Sequence, residues 1–390
     1  MFEYFPGNYV WNLAVDIAIE SGAKIGEIDE MCRPLREAAA RGEDAGTADF
    51  FTSWVKMADR LVELADEDEA RGRSFSAAAK LQRASLYYQT AERMQAHGHA
   101  PRWEAFRKGQ ESFRRAMVQG GGPYERVEIP YAAGVIPGVL ISAAARGGAA
   151  PLMVFVNGLD SSKEMLYWTG VSAALAQRGI STLHIDQPGT GEALRAHGLT
   201  AVFDTERWAS KVVDYLETRA DVDRGWIGMM GLSLGGYYAP RAVAFEPRFA
   251  LGAVWGANHN WGEVQRRRLA REGDMPVPHY WQHVRWVWGA KDMDDFMRIA
   301  EKVTLDGVLD RVKVPFLVVH GQNDRQIPLD YARQTYDQLV NSPKRELKVF
   351  TPREQGIEHV SLDNLSNARD YICDWIAETF GTWTGPKPLG

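Results

Sequence analysis

Between residues 150 and 350 the chain repeats one pattern. A short apolar run is stopped by Gly, Asn, Asp or Pro, and an amphipathic stretch follows. The runs are "PLMVFVNG", "STLHIDQPG", "GWIGMMGLS", "ALGAVWGAN" and "PFLVVHGQND". Their length suits buried strands, and stretches of helical period at 163–178, 205–219, 234–245 and 328–340 separate them. Parallel neighbours need a crossover, and crossover helices cover the faces of the sheet. The alternation therefore predicts an α/β fold with a mostly parallel, doubly wound sheet. "ERVEIPY" and "IPGVLISAA" precede the series and read as a hairpin, and "RELKVF" with the helix "SLDNLSNARDYICDWIAETF" ends it.

Upstream of Gly120-Gly121-Gly122 the pattern is helical throughout. "TADFFTSWVKMADRLVELADEDEARG" spaces Phe51, Trp54, Val55, Ala58, Leu61, Val62 and Leu64 along one helical face. "SFSAAAKLQRASLYYQTAERMQAHG" continues with Phe75, Ala79, Ala84, Leu86 and Tyr87, and Pro101 stands near the start of a further helix. No motif recurs, so a repeat array is not expected. The expected organisation is an N-terminal helical domain over 1–122 and a core over 123–390. A helical cap insertion at about 257–310 interrupts that core, where the alternation lapses and no strand pattern is found. An insertion there would lie over the carboxyl edge of the sheet, where open α/β sheets bind ligands.

At 390 residues the chain exceeds the usual single domain. A formal net charge of −6, with no block of Lys or Arg, argues against nucleic acid or an anionic membrane as the main partner. No apolar run is long enough to span a bilayer. The opening residues hold Glu3, Asp16 and Glu20 and lack a basic stretch, which speaks against a secretory signal; a cytoplasmic location is the expectation. Cys32 and Cys373, far apart, suggest neither a disulfide framework nor a zinc site, and no metal or organic cofactor is expected.

The chemistry gathers at "WIGMMGLSLGGYYAP". A buried run meets Gly231-Leu232-Ser233-Leu234-Gly235, and a helical pattern begins at once. Such a strand-to-helix turn is too tight for side chains beside the serine, and it lifts the hydroxyl above the sheet. An inert serine in an ordinary turn is the plain alternative. A serine hydroxyl needs a base to act as nucleophile. In a nucleophile elbow the acid and then the imidazole follow in chain order. Asp324, just past "PFLVVHGQN", stands where the acid belongs; a turn-forming role is its alternative, and Asp330 lies inside the next helix. His359 follows the last strand, ahead of the final helix, whereas His184 and His320 fall within or at strands and read as packed residues or pocket wall. His359 would take the Ser233 proton, with Asp324 holding its tautomer.

An oxyanion hole needs two backbone N–H groups. Leu234 would supply one. The loop "NGLDSSKE" after the first core run would supply the other from Leu159, with Asp160 fixing that loop or facing substrate. "HIDQPGTGEA" fits neither Gly-x-Gly-x-x-Gly nor a Walker sequence and reads as turn chemistry near the pocket. The insertion holds His259, Trp261, His279, Trp281, His283, Trp286 and Trp288. Its rings could roof an aromatic ligand and its histidines could bond the substituents; packing against neighbouring helices is the equal alternative. Glu246, in "FEPRF", reads as a structural acid paired with Arg248.

"NGLDSSKE", "DQPGTGEA", "GLSLGGYYAPRAVAFEPR", "HGQNDRQIP" and "EHV", in this order behind a long helical segment, resemble the α/β-hydrolase superfamily. Within it they are similar to the branch of dihydroxypseudooxynicotine hydrolase and the polyketide-shortening hydrolases of fungal pigment pathways. The resemblance implies Ser233, Asp324 and His359 as a triad. It implies hydrolysis of a carbon–carbon bond beside a carbonyl, in a diketone-like or aryl ketone substrate that is aromatic or polyketide-like. An acidic residue from the cap assists in that branch, and Glu263 is the match by position. Two other readings stand beside this one. The same groups would serve an esterase, thioesterase or amidase, and a hydrolase fold can also be a scaffold without catalysis. The N-terminal helices could form a homodimer interface.

Overall fold

In a computed structural model, residues 1–143 and 148–381 are described. The expected core over 123–390 thus includes 144–147 and 382–390, which lie outside the described residues, as does Ala144 at the end of the expected second strand. The chain divides into two compact units. The first comprises Met1–Tyr124 with Asp274–Trp286, and the second Glu125–Gly273 with Val287 onward. The stretch 257–310, read above as one insertion, is therefore divided, with 274–286 belonging to the helical unit.

The helical unit is built on the long helices Thr47–Ala70, Ser74–Arg93 and Pro101–Gly120. Phe50, Trp54, Met57, Ala58, Leu61 and Ala65 of the first are buried at intervals of one and two turns, the spacing that makes one apolar face. Phe75 does not follow this pattern: it is 77% exposed, in the first turn of its helix ahead of the first buried residue, Ala77. Phe50 stacks on Trp54 at 4.8 Å, and Tyr87 meets Trp54 edge-on at 5.6 Å. Burial of such rings dominates the stabilisation of a helical unit of this size. Arg102, 1% exposed, is carried by the Glu92 carboxylate, since an unpaired charge there would be prohibitive.

The second unit holds one eight-stranded sheet. Its strands are β1 Glu125–Tyr131, β2 Gly134–Ile141, β3 Ala150–Val156, β4 Ser181–Ile185, β5 Val222–Leu232, β6 Leu251–Trp255, β7 Phe316–Gly321 and β8 Arg345–Phe350. The spatial order is β1-β2-β4-β3-β5-β6-β7-β8. β1 and β2 pair antiparallel, as do β2 and β4; β3 through β8 run parallel. β4, β6 and β7 are buried along their whole length, which is why they read as continuous apolar runs. β1 at one edge buries only Val127 and Ile129. The single helix expected over 163–178 is two, Lys163–Trp168 and Val171–Gln177, broken at Gly170 with φ +77°. The 257–310 stretch carries helices Trp261–Leu269, Tyr280–Val287 and Met293–Ala300, with one isolated bridge between Asn260 and Thr304. Chain order reverses between β3 and β5, and the loops leaving their carboxyl ends flank that switch point, the usual ligand crevice of an open sheet.

Candidate active site

Ser233 follows the last residue of β5 and precedes the helix Gly235–Phe245. Its φ is +58°, a left-handed conformation that costs a non-glycine residue about 1–2 kcal/mol. The turn is held by the Ser233 N–H donating to the Trp255 carbonyl at 2.9 Å and the Gly236 N–H donating to the Ser233 carbonyl at 2.8 Å. A Cβ on Gly231 would collide with the Gly235 carbonyl, so the first glycine of the motif is set by sterics. Gly158, in the loop after β3, lies so near that a Cβ there would stand 3.0 Å from the Ser233 Cβ and 3.3 Å from its Oγ. That loop and the serine turn therefore share one small space. Among the described residues, neither the Leu159 nor the Leu234 backbone N–H has a hydrogen-bond partner, although both residues are buried. Two buried N–H groups beside a hydroxyl, unused by the fold, are what an oxyanion site requires.

The structure brings three residues of the expected set together. His359 Nε2 is 2.9 Å from Ser233 Oγ, and its Nδ1 is 3.0 and 2.9 Å from the two Asp324 oxygens. With Nδ1–H facing a carboxylate, the tautomer leaves Nε2 as acceptor toward the hydroxyl. The Asp324 side chain is fully buried. Its Oδ1 also accepts from the backbone N–H groups of Gln326 at 2.8 Å and Ile327 at 2.9 Å. Burial alone would raise this carboxyl; the His359 imidazole, with the Ile327 N–H, overcomes it and holds it below the ordinary range. Asp324 therefore stays ionised.

His320, at the end of β7, is fixed as a neutral support. Its Nδ1 accepts from the Ala257 N–H at 3.2 Å and its Nε2 donates to the Ile327 carbonyl at 3.0 Å. Burial pushes its pKa down. The His359 loop has its own scaffold in Asp363, whose carboxylate accepts from the N–H groups of Gly356, Ile357 and Glu358 at 2.8–3.1 Å. Val360 and Ser361, directly after the imidazole, stand at φ +45° and +60°. The Trp255 indole donates to Ser361 Oγ at 3.1 Å, tying this strained turn to the end of β6. His320 is the packed residue its place on a strand implies, whereas Trp255 carries no sequence signal as a support and Asp363 only that of an acid a few residues beyond a loop histidine.

The remaining expectations fare differently. Glu263 turns to Tyr331, whose hydroxyl donates at 2.6 Å, and to Arg267 at 2.6 Å. The tyrosine bond first, then Arg267, holds its carboxyl below the usual range. Among the described hydrogen bonds none joins it to Ser233, Asp324 or His359. His259 is fully buried with Nδ1 on Thr335 at 3.1 Å and Nε2 on the exposed Asp306 at 3.0 Å, so both ring nitrogens are already engaged within the fold. Trp261 is packed against Trp288 at 5.1 Å and Phe296 at 5.6 Å. Trp286 belongs to the helical unit, 4.4 Å from the His97 ring and 5.8 Å from Trp103, and His283 meets it edge-on at 5.9 Å. Asp160 is half-buried in the Leu159 loop. Glu246 caps its helix and bonds Arg248 at 2.7 and 2.9 Å, the structural role read from the sequence. Among the described residues no cluster of three or more His, Cys, Asp or Glu could hold a metal ion, and no helix is long and apolar enough to cross a membrane.

Residues 171–382, more than half of the chain, match the prolyl oligopeptidase family. Hydrolase LUC6 of a Fusarium species is 28% identical over an alignment spanning 98% of this chain and 99% of the relative. The 20-hydroxy-prefusarin hydrolase FUS2 of Gibberella moniliformis is 26% identical over 92% and 93%. The 2,6-dihydropseudooxynicotine hydrolase of Paenarthrobacter nicotinovorans is 27% identical over 84% and 83%. The crystal structure of a 2,6-dihydroxy-pseudo-oxynicotine hydrolase matches with a TM-score of 0.77 over 96% of this chain and 98% of that one, at 22% identity, a likeness of fold.

Proposed function

The chain belongs to the prolyl oligopeptidase family of α/β hydrolases, and we propose that it is a serine hydrolase that cleaves a carbon–carbon bond beside a carbonyl. The observation that carries the reading is the 2.9 Å approach of His359 Nε2 to Ser233 Oγ with the Asp324 carboxylate on the other ring nitrogen. In this mechanism Ser233 Oγ attacks the carbonyl carbon as its proton passes to His359 Nε2. The oxyanion forms against the Leu159 and Leu234 N–H groups. The tetrahedral adduct collapses by breaking the adjacent carbon–carbon bond. The electron pair goes to the leaving carbon, stabilised by a second carbonyl or an electron-poor ring, and His359 returns the proton to that carbon. Water, deprotonated by the same imidazole, then hydrolyses the acyl-enzyme and restores Ser233.

The two relatives whose printed names state small-molecule substrates support a substrate of that size, and the proposed chemistry requires in it an acyl group flanked by an electron sink. Asp160, beside Leu159 on the same loop, is proposed to face it. The family match favours a second reading, in which the same apparatus opens an amide or ester. A panel of aryl β-diketones and p-nitrophenyl esters separates the two. Turnover of diketones with release of one acid and one ketone is expected. Rapid ester turnover with inert diketones would replace the carbon–carbon reading by the second. Labelling by a fluorophosphonate should be lost in Ser233→Ala, and a labelled Ser233→Ala would remove the serine mechanism altogether.

A further inference from the structure

The loop that carries Gly158 and Leu159 runs from Asn157 to Lys163, and both of its ends are held by two consecutive residues of a neighbouring loop. At the far end Asp186, fully buried after β4, accepts from the Lys163 backbone N–H at 2.6 Å and from its ammonium at 2.9 Å. Asp186 also accepts from the Glu192 N–H at 2.8 Å, which binds the start of the next helix to the same carboxylate, and from the Asn157 side-chain amide at 3.3 Å. At the near end Gln187, also fully buried, makes two bonds to a single residue. Its Oε1 accepts from the Asn157 N–H at 3.1 Å and its Nε2 donates to the Asn157 carbonyl at 3.0 Å. The orientation of the amide is dictated by its partners, since an N–H can only meet the oxygen.

The register makes sense of this pair. β3 and β4 are paired up to Val156 and Ile185, and there the backbone ladder ends. The side-chain amide of Gln187 continues the ladder by one more residue, in place of a strand. The Asn157 side chain closes the frame by donating to the Ile185 carbonyl at 2.7 Å and accepting from Ser161 Oγ at 2.5 Å. The Asn157 carbonyl shares its peptide plane with the Gly158 N–H, so the Gln187 bond fixes the plane in which the chain passes Ser233. One peptide further lies the Leu159 N–H.

We propose that Gln187 is a positioning residue that aims the Leu159 N–H at the oxyanion by holding the Asn157 peptide. The proposal rests on the reading of Ser233 as nucleophile. Oxyanion donors act only when aimed at the place where charge develops, and losing one typically costs about 10²–10³ in rate. Gln187→Leu, close in size, leaves a buried N–H and a buried carbonyl unpaired, and the loop must shift to find partners. Gln187→Glu keeps the acceptor for the Asn157 N–H and, when ionised, turns an oxygen instead of a donor toward the Asn157 carbonyl.

The test is the rate of Ser233 labelling by a fluorophosphonate, whose phosphoryl oxygen enters the oxyanion site, followed across pH. Gln187→Leu is expected to lower the maximal rate at least tenfold without moving the pH midpoint, with Gln187→Glu in between. Val213→Ala, in the core of the helix Glu206–Glu217, serves as a control for general loss of stability and should label at nearly the wild-type rate. A Gln187→Leu rate within twofold of wild type, a displaced midpoint, or an equal loss in the control overturns the proposal while leaving Ser233 as nucleophile. If Gln187→Leu does not fold, an unchanged rate in Gln187→Glu overturns it instead. An unlabelled wild type removes the serine reading and this inference together.

Discussion

Asp324 shows how one side chain can be legible by place and opaque by role. Its carboxylate meets the His359 Nδ1–H and two backbone N–H groups of its own turn, those of Gln326 and Ile327. The turn-forming role and the triad role, which compete when only the sequence is read, are compatible because a carboxylate has enough acceptor sites for both. This gives a clean substitution. Asn at 324 retains an oxygen for the Gln326 and Ile327 N–H groups, so the turn should survive. Its amide, however, would present a donor to Nδ1 and favour the tautomer that faces Ser233 with an N–H. Turnover and Ser233 labelling of Asp324→Asn should fall by about 10⁴, with a melting temperature close to wild type. A variant retaining a tenth of the activity would exclude Asp324 from the mechanism.

At the scale of elements, the parallel strands could be read from the sequence because strands buried on both faces are apolar without interruption, as β4, β6 and β7 are. Ser233 and Asp324 could be chosen because each follows an apolar run where turn residues begin, and His359 because it lies between the last strand and the final helix. The supports of the site could not. Gln187, Asn157 and Asp363 bond backbone groups of loops, and nothing in the identity of a loop residue reveals which distant N–H it will meet. The break at Gly170 was hidden for a different reason, since the apolar period continues across it. Asp363 allows this level to be tested. Its carboxylate holds three successive N–H groups of the segment that delivers His359. Asp363→Ala leaves them to water or unpaired, at about 1–3 kcal/mol for each that stays buried. The imidazole should then wander from Ser233 Oγ, with labelling slowed about 10-fold to 100-fold. Hydrogen exchange should quicken at 356–358 and not in β5. Unchanged exchange there would show that the strained turn at Val360–Ser361 holds itself.

For the molecule as a whole, acid should act through buried imidazoles before it acts through carboxylates. Among the described residues, His99, His184, His259 and His320 are held below their ordinary pKa, in each case mainly by burial. His184 on β4 is the extreme: fully buried against Phe155, with neither ring nitrogen hydrogen-bonded, it is pushed down to about 3 from 6.5. A base depressed in the folded state binds its proton more readily once unfolded. Between those two values the unfolded chain holds more protons, so stability falls as pH falls below about 6.5. For His184 alone the loss between pH 7 and pH 5 is about 2 kcal/mol. Glu192 behaves oppositely in kind and lower in range. Burial would raise its carboxyl, but Arg126 and Lys163 bring it down to about 2 from 4.5. Its stabilisation is complete above about 4.5 and is lost only as pH drops from there through 2, outside the histidine window. Urea unfolding at pH 7 and pH 5 should therefore show a marked loss in the wild type. His184→Leu, which puts an apolar side chain of similar size between Phe155 and its neighbours, should shrink that difference by about 2 kcal/mol. Glu192→Gln should leave the difference between pH 7 and pH 5 unaltered. An equal pH dependence in His184→Leu and wild type would mean that His184 keeps its proton inside the sheet.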